Sequence, residues 1–231
     1  HMVIMTNPEA PCVRTMPPTT VFAKLSADKR QAILEAAFEE FALYGYHQAS
    51  INRMVSQLSI AKGSIFQYFE SKLGLFEYVF DQARQIVSDH LRLLRDHTQE
   101  QDFFLRLETI VRAGLHFVRS HPQIYRIYGH VLRDEHLPQR EHFLEQVRSA
   151  SSAYLRGLVS QGMANGDIHP GLSLDWAVLF LDALFDRFLQ VMAGPWTGCT
   201  FHCLPPGEDH DHVQAFMHCI RSGFGAKGID H

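Results

Sequence analysis

Between positions 50 and 72 the chain carries hydroxyl, amide, phenol and ammonium groups in close succession: Ser50, Lys62, Ser64, Gln67, Tyr68 and Lys72, with Gly63 beside the first lysine. Ammonium and hydroxyl groups are ligands for phosphate, and a few amides or hydroxyls at groove depth can hydrogen-bond base edges, so this set suits double-stranded DNA. Two other groups could do different chemistry. Cys199, His202, Cys203, His210, Asp211, His212, His218 and Cys219 gather near the C-terminus, and thiolates with imidazoles suit zinc or copper(I), although their spacing matches no closed four-ligand pattern. Asp182 and Asp186 stand one helical turn apart beside Arg187, as an acid pair or, more simply, a surface or interface salt-bridge ladder. No Gly-rich phosphate loop, nucleophile elbow or paired His–Glu zinc motif occurs, so we expect no enzyme, no catalytic residue, no metal site and no cofactor. A metal-responsive regulator or metal-binding helical protein using the C-terminal Cys/His cluster is the alternative.

Something rigid must hold the first set in place, and hydrophobic periodicity says what. Ser26 reads as an N-cap, and Ile33, Ala37, Phe41 and Tyr44 recur at helical spacing until Gly45 offers a stop. Ser50 caps a second helix carrying Ile51, Met54, Val55 and Leu58. A third, Ala61 to Phe69, is expected to turn Ile65, Phe66 and Phe69 inward and Lys62, Ser64, Gln67 and Tyr68 outward. Ser71 caps a long fourth helix reaching towards Thr98. Further helices are expected from Phe103 to Ser120, Pro122 to Leu132, Arg140 to Ala164, Ser173 to Met192 and Val213 to Phe224, and no convincing strand alternation is present. The fold class is therefore all-α.

Two short helices joined by a tight turn, the second with a polar outer face, make a helix-turn-helix: one helix crosses the DNA backbone, the other enters the major groove. The stretch from Ala32 to Leu75, with Phe38, Phe41, Gly45 and Tyr46, then Ser50, then the run Ala61-Lys62-Gly63-Ser64-Ile65-Phe66-Gln67-Tyr68-Phe69 and Ser71-Lys72, closely resembles the DNA-binding domain of the tetracycline-repressor (TetR) family. The resemblance covers about the first third of the folded chain. It implies that Lys62, Lys72 and Ser50 hold phosphates, that Gly63 lets the helix approach closely, and that Ser64 and Gln67 face bases. Tyr68 would lean on the sugar-phosphate backbone or a thymine methyl. Ser59 stands where the turn usually has glycine, and a non-Gly residue in a left-handed turn costs on the order of 1 kcal/mol.

With 231 residues, 46% of them hydrophobic, the chain can bury a substantial core without disulfides or structural metal. A formal charge of −4 is unusual for a DNA binder and implies a focal grip, since phosphate affinity needs local positive charge. We expect an N-terminal arm at 1–21, disordered because Pro8, Pro11, Pro17 and Pro18 fall among small polar residues. The helix-turn-helix domain occupies 22–70, and a larger helical domain for ligand binding and dimerisation occupies 71–231. Homodimerisation through 173–192 and 213–224 would present two recognition helices to one operator, and a small-molecule effector, implied by the resemblance, would release it. The candidate pocket residues are Phe104, His116, Phe117, Tyr125, Tyr128, Phe143 and Phe185, pointing to a largely apolar or aromatic ligand. The segment from Gly194 to Gly207 would cover the interface or a pocket mouth. No secretory signal and no membrane-spanning stretch is read, so the expected place is the cytoplasm, with reduced cysteines.

Overall fold

A computed structural model of the chain describes residues 18–99, 101–194 and 207–225, and among them the only regular element is the helix. The helices run α1 (Thr20–Ala23), α2 (Ala27–Gln48), α3 (Ile51–Leu58), α4 (Lys62–Phe69), α5 (Lys72–Thr98), α6 (Phe103–Ser120), α7 (Pro122–Arg133), α8 (Arg140–Ala164), α9 (Leu174–Met192) and α10 (Asp209–Phe224). Each expected helix is present. Residues 1–17 of the expected arm lie outside the described part, as do Cys12, Cys199, His202, Cys203 and nearly all of the segment from Gly194 to Gly207.

The serines cap as their positions imply: Ser26 accepts from the Lys29 amide, Ser50 from the Arg53 amide and Ser71 from the Gly74 amide. Gly45 breaks the helical path of α2 at φ +66°, but the helix resumes to Gln48 instead of stopping. At the α3–α4 turn Ser59 adopts φ +53°, ψ +39°, a left-handed conformation tolerated within a packed domain. The last helix begins a turn earlier than expected, because Glu208 and Asp211 form a reciprocal capping box there.

Two hydrophobic clusters hold the molecule. The first binds α2, α3 and α4 through Ile33, Phe41, Met54, Val55, Ile65 and Phe69, and continues into Leu75, Phe76 and Phe80 of α5, Ile127 and Val131 of α7, and Phe143 of α8. One core thus runs without a break across the expected boundary at 70/71. The second cluster joins α6, α8, α9 and α10 around Leu107, Val111, Val159, Leu181 and Met217. Of the described helices, none is long and apolar enough to cross a membrane.

Candidate nucleic-acid interface and ligand cavity

Helix α4 has one buried stripe, Ile65 and Phe69, spaced i, i+4. Lys62, Gly63 and Gln67 are exposed and Ser64 is half-buried, which leaves a polar outer face. Two expectations about this helix need correction. Phe66 does not point inward: it is 40% exposed, lying four residues after Lys62 on the same outer side, because an eight-residue helix against a single core can bury only one narrow stripe. Tyr68 is not free on the surface either. Its ring sits 5.8 Å from that of Phe22, which also packs on Phe69 at 4.8 Å and on Tyr78 at 5.3 Å.

The partner that covers Tyr68 is α1, an element that four residues of sequence are too few to announce. Thr19 ties α1 to the end of α4: its amide donates to the Tyr68 carbonyl (2.9 Å) and its hydroxyl to the Gln67 carbonyl (2.7 Å). Terminal helical carbonyls otherwise lack partners, so these two bonds fix the C-terminal end of the helix. At the same end α4 meets α5 at Gly74, where a Cβ would fall 2.2 Å from the Phe69 carbonyl oxygen, so only glycine permits this approach.

The phosphate-type groups flank α4. Ser50 lies at the N-terminus of α3, its amide donating to the nearly buried Glu40 carboxylate at 2.7 Å. Glu40 also holds Arg53, whose guanidinium lies 4.1 Å from the Tyr44 ring centroid. Arg53 was not singled out in the sequence; its only signal there is its place one turn into a capped helix, and its anchoring by Glu40 spans two helices. Lys72 donates to the His47 carbonyl at 3.1 Å and sits 5.0 Å from the Tyr46 ring centroid, and burial draws its ammonium pKa below the ordinary value. Lys62 and Arg53 are exposed and Lys72 is half-buried, with Arg53 sharing its charge with Glu40, in a chain whose net charge is negative.

A cavity of about 400 Å³ opens among α5 to α9. Four candidate pocket residues, Phe117, Tyr125, Tyr128 and Phe185, line it. The other three do not: Phe104 belongs to the second core cluster, Phe143 packs between Phe76 and Phe80 in the first, and His116 bonds Ser120 on the outside of α6. Helical spacing names aromatic residues without saying which face meets a void. Asp182 and Asp186 line the cavity too, and the expected salt-bridge ladder is absent, since neither forms an ion pair among the described residues. Asp186 accepts from the Gln190 amide (2.7 Å) and the Tyr128 hydroxyl (3.4 Å), and Asp182 accepts from the Ser151 hydroxyl. Burial raises the Asp186 pKa, with Asp182 adding to it, and burial likewise pushes the Tyr128 phenol upward.

Helix α7 joins the two regions. Ile124, Ile127 and Tyr128 line the cavity, while the His130 Nε2 donates to the Ala42 carbonyl at 3.1 Å and the ring packs against Gly45. On α9, Ala177, Val178, Leu181 and Phe188 are buried, and Trp176, Leu179, Phe180 and Leu184 are 41–59% exposed. Phe180 and Leu184 thus share the outer face with Trp176 and Leu179. Of the C-terminal cluster, Asp211 serves the α10 capping box and His210 lies 3.2 Å from Arg112; no three metal-ligating groups converge among the described residues.

Comparison with known proteins places these features. Residues 33–79 match the profile of bacterial regulatory proteins of the tetR family. Over 194 residues the chain is 23% identical to a protein of Escherichia coli K12 named the probable acrEF/envCD operon repressor, covering 81% of this chain and 86% of the relative. A crystal structure of a TetR-family regulator from Chloroflexus aurantiacus superposes with a TM-score of 0.67 at 25% identity, covering 92% of this chain and all of the other. A transcriptional regulator from Saccharomonospora viridis, solved in complex with choline, shares the fold with a TM-score of 0.68 at 18% identity over 87% of this chain and all of that one.

Proposed function

We propose that this chain is a ligand-responsive, DNA-binding transcriptional regulator of the tetR family, acting as a homodimeric repressor released from its operator by a small molecule in the cavity of α5 to α9. The observation that carries the DNA half is the exposed polar face of α4, whose C-terminal turn is fixed by Thr19 and by the Gly74 approach, inside the segment that matches the family. Residues 22–70 read DNA in this scheme, and 71–231 take ligand and partner. Lys62, Lys72 and Ser50 position the domain on phosphates, Ser64 and Gln67 face bases, Gly63 allows close approach, and Tyr68 supports the backbone side. Arg53, beside Ser50, joins the phosphate contacts.

The dimer reading rests on α9, whose Trp176, Leu179, Phe180 and Leu184 form a helical stripe left uncovered in one chain and suited to a second copy with α10. Two such copies would present recognition helices to half-sites about one helical turn, or a multiple, apart. The effector reading is supported by the cavity and by α7, which touches both the cavity wall and α2. A ligand that binds better when α7 is displaced shifts α2, and with it α3 and α4, away from the operator-bound spacing. That a protein of the same fold has been solved with choline supports occupation by a small organic molecule.

The test is selection of bound sequences from random DNA, followed by affinity measurement on the selected site. Lys62→Ala should weaken binding to all sequences and lower the salt slope by about one, whereas Gln67→Ala should change which bases are preferred. Undiminished affinity of Lys62→Ala at every salt concentration would refute the assignment.

A further inference from the structure

The cavity has an unbalanced chemistry. Most of its wall is apolar, from Phe80, Val87 and Leu91 of α5 to Val147 and Leu155 of α8, yet α9 turns two carboxylates into it one helical turn apart. The donors that meet Asp182 and Asp186 are all neutral: the Ser151 and Tyr128 hydroxyls and the Gln190 amide. Like charges at i, i+4 repel, and a carboxylate withdrawn from water needs a positive partner more than a surface one does.

The cations nearby supply that partner only weakly. Arg84 is committed to an ion pair with Asp81 on its own helix, Arg148, though it lines the rim, is solvent-exposed, and Arg187, whose charge draws the Asp186 pKa down against the larger effect of burial, is itself exposed and bonds the Gln190 amide oxygen. Burial keeps the His90 imidazole below its ordinary pKa, so it is neutral at physiological pH. Tyr128 meets the Asp186 carboxylate, Tyr125, Phe117 and Phe185 also stand in the wall, and aromatic faces attract cations within about 6 Å.

We propose that the cavity takes an organic cation with an apolar body, its positive group held by Asp186 and Asp182 beside the Tyr128 ring. This rests on the reading of the cavity as the effector site and adds the sign of the ligand's charge. The cation neutralises the acid pair, so its binding is favoured by both charge and burial, while an anionic head meets two carboxylates at the same place. Tyr128 lies on α7, two residues before His130, so the seat of the positive group adjoins the helix that packs on α2.

A matched series separates charge from body. Decylammonium, 1-decanol and decanoate share one chain and differ in head group, and calorimetric titration of the full-length protein reads each affinity. Decylammonium should bind at least tenfold more tightly than decanoate. Asp186→Asn should cost the amine roughly tenfold and leave 1-decanol unchanged, which also reports that the variant is folded, while Asp186→Glu should retain the amine preference. Decanoate binding as tightly as decylammonium, amine affinity insensitive to Asp186→Asn, or no binding of any of the three overturns the proposal. Fluorescence anisotropy of the selected operator keeps the two readings apart. Decylammonium that binds through Asp186 without lowering operator affinity refutes the effector reading and leaves the cation site standing; release by all three heads alike does the reverse.

Discussion

At the scale of single residues, His130 carries the most consequence for its size. Its ring bonds the Ala42 carbonyl and fills the space that a side chain at position 45 would need, a Cβ there falling 3.0 Å from Nδ1. Burial, with Arg133 and Arg126 nearby, outweighs that hydrogen bond and the neighbouring Asp134 and holds the imidazole pKa below 6.5. Unfolding returns the group to 6.5, so on acidification the unfolded chain takes up the proton first; the stability His130 contributes is present above that pH and lost as the pH falls through it. We expect the unfolding free energy to drop as the pH falls below the imidazole's ordinary 6.5, and His130→Gln to flatten that drop. His90, depressed in the same direction, leaves part of the slope in place. An unchanged slope in His130→Gln would count against a buried neutral imidazole.

At the scale of the element, two glycines one helix apart make opposite predictions. Gly74→Ala forces a methyl against backbone at the α4–α5 junction, and should cost about 1–3 kcal/mol in stability along with DNA affinity. At Gly63 a Cβ meets nothing within 4 Å, so Gly63→Ala should hold or raise the melting temperature, helix propensity favouring alanine by up to about 1 kcal/mol. If Gly63 faces DNA, the same change should nonetheless weaken operator binding, a loss that thermal melting and anisotropy together would isolate. Element by element, capping and period were readable: Ser26, Ser50 and Ser71 cap where their spacing places them, and Ser59 turns left-handed where a glycine is usual. What depends on contact between distant segments was not. Neither α1 nor its hold on Tyr68, neither Glu40 with Arg53 nor the outward turn of Phe66, is a property of any one helix's pattern. The candidate pocket divides for the same reason, four aromatics facing the void and three packing elsewhere.

At the scale of the whole molecule, the charge and the apolar surface point to assembly. A chain of net charge −4 repels DNA at a distance, so doubling a focal positive face matters more to it than to a basic protein. Phe180→Glu combined with Leu184→Glu alters side chains that are 52% and 41% exposed in the single chain, so folding should change by no more than about 0.5 kcal/mol per site. We expect light scattering to give the monomer mass for this variant and operator affinity to fall at least tenfold. A dimer that survives both charges would move the interface away from α9.

The clasp of Thr19 on the carbonyls of Gln67 and Tyr68 also has a practical side. Residues 18 and 19 are thereby held beside α4, the helix proposed to read DNA. A bulky purification tag there would obstruct the groove, whereas a small fluorophore at the same place would sense operator docking directly.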